Sequence, residues 1–255
     1  MILSSKGIIL KVFPYSNTSV ICNAFTDDHG KLTFIAKGIR KPKNPLVSIL
    51  QPFNLVEFQY YYKKTRGIQL IKEADILIGF DKLRDNLITI TIASNLLNII
   101  NRTFEEGYQH PIVFRLIYKI LNKLSVNILY NKITYIFFLF HLSKQLGFMP
   151  NINQCYHCSK VFTDFAVFNI NLKSLICKLC QQKYDIETNI NISKDSISFL
   201  NLIDKTNIDK ITNIETNNLV LSNTYTFLMI FMRSNIPYIN NLKGLTEIDK
   251  IYYEE

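Results

Sequence analysis

Two Cys-x-x-Cys pairs constrain this chain more than any other feature of it. Cys155-Tyr156-His157-Cys158 and Cys177-Lys178-Leu179-Cys180 are separated by eighteen residues. At that spacing two knuckles bring four thiolates tetrahedrally around one metal ion. The stretch 162–171 between them alternates aromatic and polar residues and predicts the connecting hairpin. A redox dithiol needs only one pair and an activating helix N-terminus, which is not evident here. Zinc is the expected ion, one per chain, with Cys155, Cys158, Cys177 and Cys180 as ligands. Iron held by the same ligands, or a metal-free fold, are the alternatives. Four thiolates leave no open position for water, so the expected zinc is structural. His157 then has no place in the shell. Paired metal-type cysteines, with Cys22 alone in a strand pattern, fit a reducing compartment rather than a disulfide framework. Lys6, Gly7 and Lys11 interrupt any signal-peptide core, so a cytoplasmic location is expected.

Residues 7–74 predict five strands, at 8–13, 19–26, 31–36, 53–62 and 68–74. Asp27-Asp28-His29-Gly30 supplies a tight hairpin connection between the second and third. The break between the third and fourth is longer and contains 46–50, a candidate plugging helix. That plan is an OB-type barrel. From residue 81 the apolar period lengthens: Leu83, Leu87, Ile90, Ala93, Leu97 and Ile100 recur at helical steps, and further runs extend from Pro111 to Leu129 and over 132–145. The ten apolar residues at 133–142 are too few to span a bilayer. Beyond the cysteines, 193–202 and 219–233 predict helices and 204–217 a loop or short turns. The expected class is α+β: a five-stranded OB-type barrel (1–80), a helical domain (81–150), a four-cysteine zinc-finger insertion (151–183), and C-terminal helices packing on the helical domain (184–255).

Charge then narrows the partners. The chain carries +9, unevenly: residues 1–80 hold 11 Lys/Arg against 5 Asp/Glu, whereas 184–255 hold 6 against 10. A basic front suits a polyanion. Anionic membrane is disfavoured, since the N-terminus offers neither a basic amphipathic helix nor a lipidation site. Lys37, Arg40, Lys41 and Lys43 fall in the loop after strand three, and Lys63, Lys64 and Arg66 in the strand four–five turn, where OB-folds commonly take nucleic acid. These seven are the candidate DNA-binding residues, expected to converge on one groove. Phe34, Tyr60, Tyr61 and Tyr62 are candidate stacking rings, with Phe34 and at least one tyrosine expected inside the barrel. No phosphate loop, Gly-x-Ser-x-Gly or His-Glu-x-x-His pattern occurs, so a binding protein is expected rather than an enzyme. A zinc-bearing OB-fold RNA-binding protein and a protein–protein adaptor are the competing classes.

Residues 8–13 with Pro14-Tyr15-Ser16-Asn17-Thr18-Ser19, Phe25-Thr26 and Gly30 are followed by Ala36-Lys37-Gly38-Ile39-Arg40 and Leu50-Gln51-Pro52-Phe53. Together these segments resemble the bacterial DNA repair family RecO. Leu146-Gly147-Phe148 and Leu242-Lys243 continue the series in the same order over nearly the whole chain. The four cysteines look like those of zinc-carrying members. The resemblance implies a recombination mediator that binds single- and double-stranded DNA without sequence preference and anneals complementary strands. It implies RecR as a partner, RecA loading as the outcome, and binding of the single-strand-binding protein's C-terminal tail through the helical domain. Lys132 and Lys144 are basic residues available there.

Overall fold

The computed structural model describes residues 1–39, 44–126, 128–184, 189–242 and 244–253. The chain divides into two compact units, Met1–Ile128 and Leu129–Glu255. In the first, β1 (Ile2–Tyr15), β2 (Ser19–Thr26), β3 (Gly30–Ala36), β4 (Leu55–Tyr61) and β5 (Ile68–Ile78) form a closed barrel in the order β1-β2-β3-β5-β4. Neighbours are antiparallel except β3 and β5, as an OB-fold requires. β1 is longer than its apolar stretch because it serves two partners: Ile2 to Ile8 pair with β4, and Gly7 to Tyr15 with β2. Gly7 sits at the exchange. A Cβ there would lie 3.0 Å from the Phe58 ring and 3.2 Å from the Thr26 methyl.

Register shifts between Ile9 and Lys11, which leaves Leu10 as an extra residue. Such a bulge inverts the in–out alternation beyond it. Ile8, Ile9 and Leu10 are consequently all buried, whereas Lys11, Phe13 and Tyr15 emerge on the outside. Inside, Phe34 stacks on Phe58 at 4.7 Å and meets Tyr60 edge-on at 5.1 Å. α1 (Leu46–Ile49) packs Leu46 and Ile49 against this core, as a plug should. β4 starts two residues later than expected, because Phe53 adopts a left-handed φ of 78° that no strand residue holds.

A single 3₁₀ turn (Asp81–Arg84) leads into α2 (Leu87–Thr103) and α3 (Pro111–Val126). Asn86 caps α2, its Oδ1 accepting the Thr89 amide. The end of α2 and the segment 104–110 lie against the outside of β2 and β3. Asn23 donates to Asn101 (3.2 Å), Lys31 Nζ donates to the Asn101 carbonyl (2.8 Å), and Phe104 meets Phe25 edge-on at 5.2 Å. Gly30 makes this closeness possible. It holds φ +64°, and a Cβ there would fall 1.7 Å from the Tyr108 carbonyl oxygen.

The second unit contains α4 (Asn131–Gln145), β6 (Phe165–Asn169), β7 (Ser174–Ile176), α5 (Lys178–Gln181), β8 (Asn189–Ser193), α6 (Lys194–Lys205), α7 (Asn218–Asn235) and α8 (Leu245–Tyr253). Tyr225 of α7 stacks on Tyr252 of α8 at 3.9 Å, and its hydroxyl donates to Asp249 (2.6 Å). Phe168 of β6 packs edge-on against Phe227 and Phe231. The expected hairpin between the cysteine pairs is β6–β7. β8, which pairs with β6 on its other side, has no counterpart in the sequence reading. The helices grouped over 81–150 fall in both units, α2 and α3 in the first and α4 in the second. Among the described residues no helix is long and apolar enough to cross a membrane.

Candidate nucleic-acid interface and metal centre

The barrel presents its cations at two ends. Lys37 is exposed in the turn that follows β3, one step past the Val20–Ala36 pair and level with the β1–β2 turn. Lys63, Lys64 and Arg66 are exposed in the β4–β5 turn. The buried Gln69 side chain pins that turn, accepting from the Lys63 amide (2.9 Å) and donating to the carbonyls of Lys63 and Arg66. Because β3 and β5 run parallel, with Thr33 opposite Ile68, the β4–β5 turn lies at the opposite end of β3 from Lys37. Along the strands the separation from Lys37 to Arg66 is about 20 Å, six residues at strand rise. For Lys37, the described candidate of the first loop, the expected convergence with the β4–β5 turn on one groove is therefore not met. The β4–β5 turn instead neighbours the β2–β3 turn, where His29 and Tyr62 have ring centroids 5.7 Å apart. Asp27 and Asp28 stand in that neighbouring turn. Burial, then the Asp28 charge, raises the Asp27 pKa. Arg40, Lys41 and Lys43 lie outside the described residues.

The outer face of β2 and β3, which OB-folds commonly offer to oligonucleotides, is largely covered here by α2 and 104–110. Lys31 is engaged under that cover, and burial lowers its pKa. Of the candidate stacking rings, Phe34 and Tyr60 are buried in the core, Tyr61 is exposed and Tyr62 partly buried. Cys22 is also buried, and burial pushes its thiol up to about 12, so it is inert.

In the second unit the Sγ atoms of Cys155, Cys158, Cys177 and Cys180 all lie within 4.8 Å of one another. Cys158 and Cys177 are 3.7 Å apart, close to the roughly 3.8 Å edge of a tetrahedron of sulfurs about zinc at 2.3 Å. The first knuckle turns tightly: the Ser159 amide donates to the Cys155 carbonyl at 2.9 Å, and Ser159 takes φ 58°. The second folds the same way, with the Cys180 and Gln181 amides donating to the Cys177 carbonyl at 3.0 Å. Burial opposes ionisation of Cys155, but amides of Cys158, Cys177 and His157 outweigh it and hold the thiol down to about 7. Burial and the neighbouring thiols push Cys180 up to about 12. Four sulfurs this close repel one another as thiolates unless a cation sits among them. A divalent ion removes the conflict, and the donor set fits one. His157 is no ligand: its two ring nitrogens face Tyr184 Oη at 3.0 Å and Lys183 Nζ at 3.1 Å.

Family comparison follows this division of the molecule. The model described as "Recombination protein O N terminal" matches residues 1–80, and "Recombination protein O C terminal" matches residues 84–237. The chain belongs to the RecO family. It is 28% identical over 183 residues to the DNA repair protein RecO of Exiguobacterium sibiricum, covering 72% of each chain. It is 23% identical over 214 residues to that of Syntrophomonas wolfei, covering 84% of this chain and 83% of the other. The RecO of Bacillus subtilis matches at 27% over 183 residues, 72% of this chain and 70% of that one.

In this RecO-family chain the first match spans the barrel and the second includes the cysteine cluster. Lys144, a basic residue singled out in the helical part, lines an open depression of about 350 Å³ with Phe140, Met149 and Ile152, and is ion-paired with Asp204. Lys11, Phe13 and Tyr15, which the sequence reading did not single out for binding, share the outer face of β1. Their alternation was visible, but the direction they face depends on the bulge at Leu10.

Proposed function

We propose that this RecO-family chain is a recombination mediator of DNA repair. It binds single- and double-stranded DNA without sequence preference, anneals complementary strands, and assists RecA loading with RecR. Membership of the family carries this reading. The cationic ends of the barrel support it, because exposed Lys37, Lys63, Lys64 and Arg66 suit phosphate contacts, which fix position without reading sequence. Annealing needs no covalent step. Lysines lower the repulsion between two backbones, and base pairing supplies specificity. Cations at two separated ends suit the handling of two strands better than a single groove would. Zinc, one ion on the four cysteines, holds the β6–β7 segment in place. Binding of the acidic, hydrophobic tail of single-strand-binding protein through the helical part belongs to the same reading.

The test is strand annealing of complementary DNA precoated with single-strand-binding protein, run across a salt series with and without chelation. Annealing is expected to fall steeply with salt. A flat response from low to moderate salt rules against phosphate-driven binding, and preference for structured RNA in competition rules against the DNA reading.

A further inference from the structure

The bulge at Leu10 has a specific result. Beyond it, Val12 packs on the barrel core while Lys11, Phe13 and Tyr15 share the outer face. Phe13 is 36% exposed and Tyr15 50% exposed, large rings left in solvent at the mouth of a hairpin. Lys11 Nζ lies 5.9 Å from the centroid of the Phe13 ring, so a cation and an aromatic face already sit together. Opposite Tyr15 is Ser19, and the next strand brings Lys37 level with them. Two strand spacings put Tyr15 and Lys37 roughly 10 Å apart. The outward side of β1, β4 and β5 carries an exposed ring at Tyr61, but it is crossed by a row in which Lys6 pairs with Glu57, and Glu57 with Asp75. A polyanion is repelled from that row and attracted to the Lys11–Lys37 end. The rest of the usual OB face is closed by α2, which leaves this corner of it open.

We propose that Lys11, Phe13, Tyr15 and Lys37 form a stacking platform for the bases of an unpaired nucleic-acid strand. The lysines hold the sugar–phosphate backbone and the two rings take successive bases. Stacking of this type is indifferent to base identity, because every base has a π-face. The platform rests on the nucleic-acid reading above and deepens it by assigning the contact to unpaired bases.

Two strands of equal length and charge separate stacking from charge: a dT oligonucleotide and its abasic counterpart. The full-length, metal-loaded protein is expected to prefer dT. Phe13→Ala with Tyr15→Ala is expected to lose that preference and bind dT about tenfold more weakly per ring, with an unchanged salt slope and an unchanged circular dichroism spectrum. A folded double variant that keeps the dT preference overturns the platform and leaves the proposed function standing. A wild-type protein that binds neither strand in a salt-dependent way overturns the functional reading itself. Should the double variant fail to fold, Phe13→Trp decides, since the chain has no tryptophan of its own. Fluorescence quenched by dT but not by the abasic strand supports the platform, and fluorescence indifferent to both overturns it.

Discussion

Among the described residues, fourteen buried side chains fill the barrel around Phe34, Phe58 and Tyr60, whereas the buried cluster at the cysteines has four members, two of them thiols. The barrel joins distant stretches of chain by closing its hydrogen-bonded edges over apolar volume, at roughly 1.5–3 kcal/mol for each large side chain buried. The cysteine segment has two short paired strands and a one-turn helix of its own, and further support comes from β8 along the other edge of β6 and from Phe168 packed on α7. One region is made by packing, and the other adds to a small packed cluster four convergent thiols that could hold an ion. They should fail under different insults.

Chelation gives the largest expected effect. Structural zinc contributes on the order of 10–16 kcal/mol to small metal-dependent folds. Removing it should erase hydrogen-exchange protection at Val167, Ile176 and Cys180 and leave β1–β5 amides protected. Equal loss in both regions would break the comparison. Cys158→Ser with Cys177→Ser should reproduce the chelated pattern.

The converse insult is Gly30→Ala. Its Cβ would meet the Tyr108 carbonyl at 1.7 Å in a left-handed backbone, so backbone must shift. Strain and overpacking together should cost about 3 kcal/mol, read as a lower urea midpoint for the barrel with the metal stoichiometry unchanged.

These two regions were not equally legible in the sequence. Ligand spacing alone fixed the four cysteines, because coordination geometry is local to each knuckle and the knuckles are short. The strands of the barrel were legible from alternation, and the OB-type plan from their number and spacing. What could not be read was parity and cover. Leu10 looks like one more apolar strand residue, yet its insertion decides that Phe13 and Tyr15 face out. Lys37 and Lys64 both sit in loops of the right kind, but only the parallel pairing of β3 with β5 shows them to be at opposite ends. β8 was missed although Asn189-Ile190-Asn191-Ile192-Ser193 alternates polar with apolar residues: five residues ending at the Ser193 cap of α6 are a short signal, and pairing with β6 defines the strand.

Acid should weaken both regions for different reasons. His110 packs against Phe104 at 4.6 Å and Phe25 at 6.3 Å, and burial lowers its pKa. The folded barrel therefore takes up this proton less readily than the unfolded chain does. This contribution to stability is present above the ordinary histidine value of about 6.5 and is lost as pH falls below it. Acid would also protonate the cysteine thiolates through which an ion would be bound. Excess zinc at pH 6 should restore exchange protection around the cysteines without restoring the barrel, and His110→Gln should flatten only the barrel's dependence.

The smallest effects concern binding. If the barrel ends hold the phosphates, Lys37→Gln and Lys64→Gln should each reduce the salt slope for single-stranded DNA by about 0.7, with no change in melting. Lys178 differs from them: its ammonium lies 5.9 Å from the Phe165 ring centroid, within the cysteine segment itself. Lys178→Gln should leave the slope unchanged. A slope that falls for Lys178→Gln and stays for Lys37→Gln would reverse the assignment, making the metal-held segment the DNA contact and the barrel its scaffold.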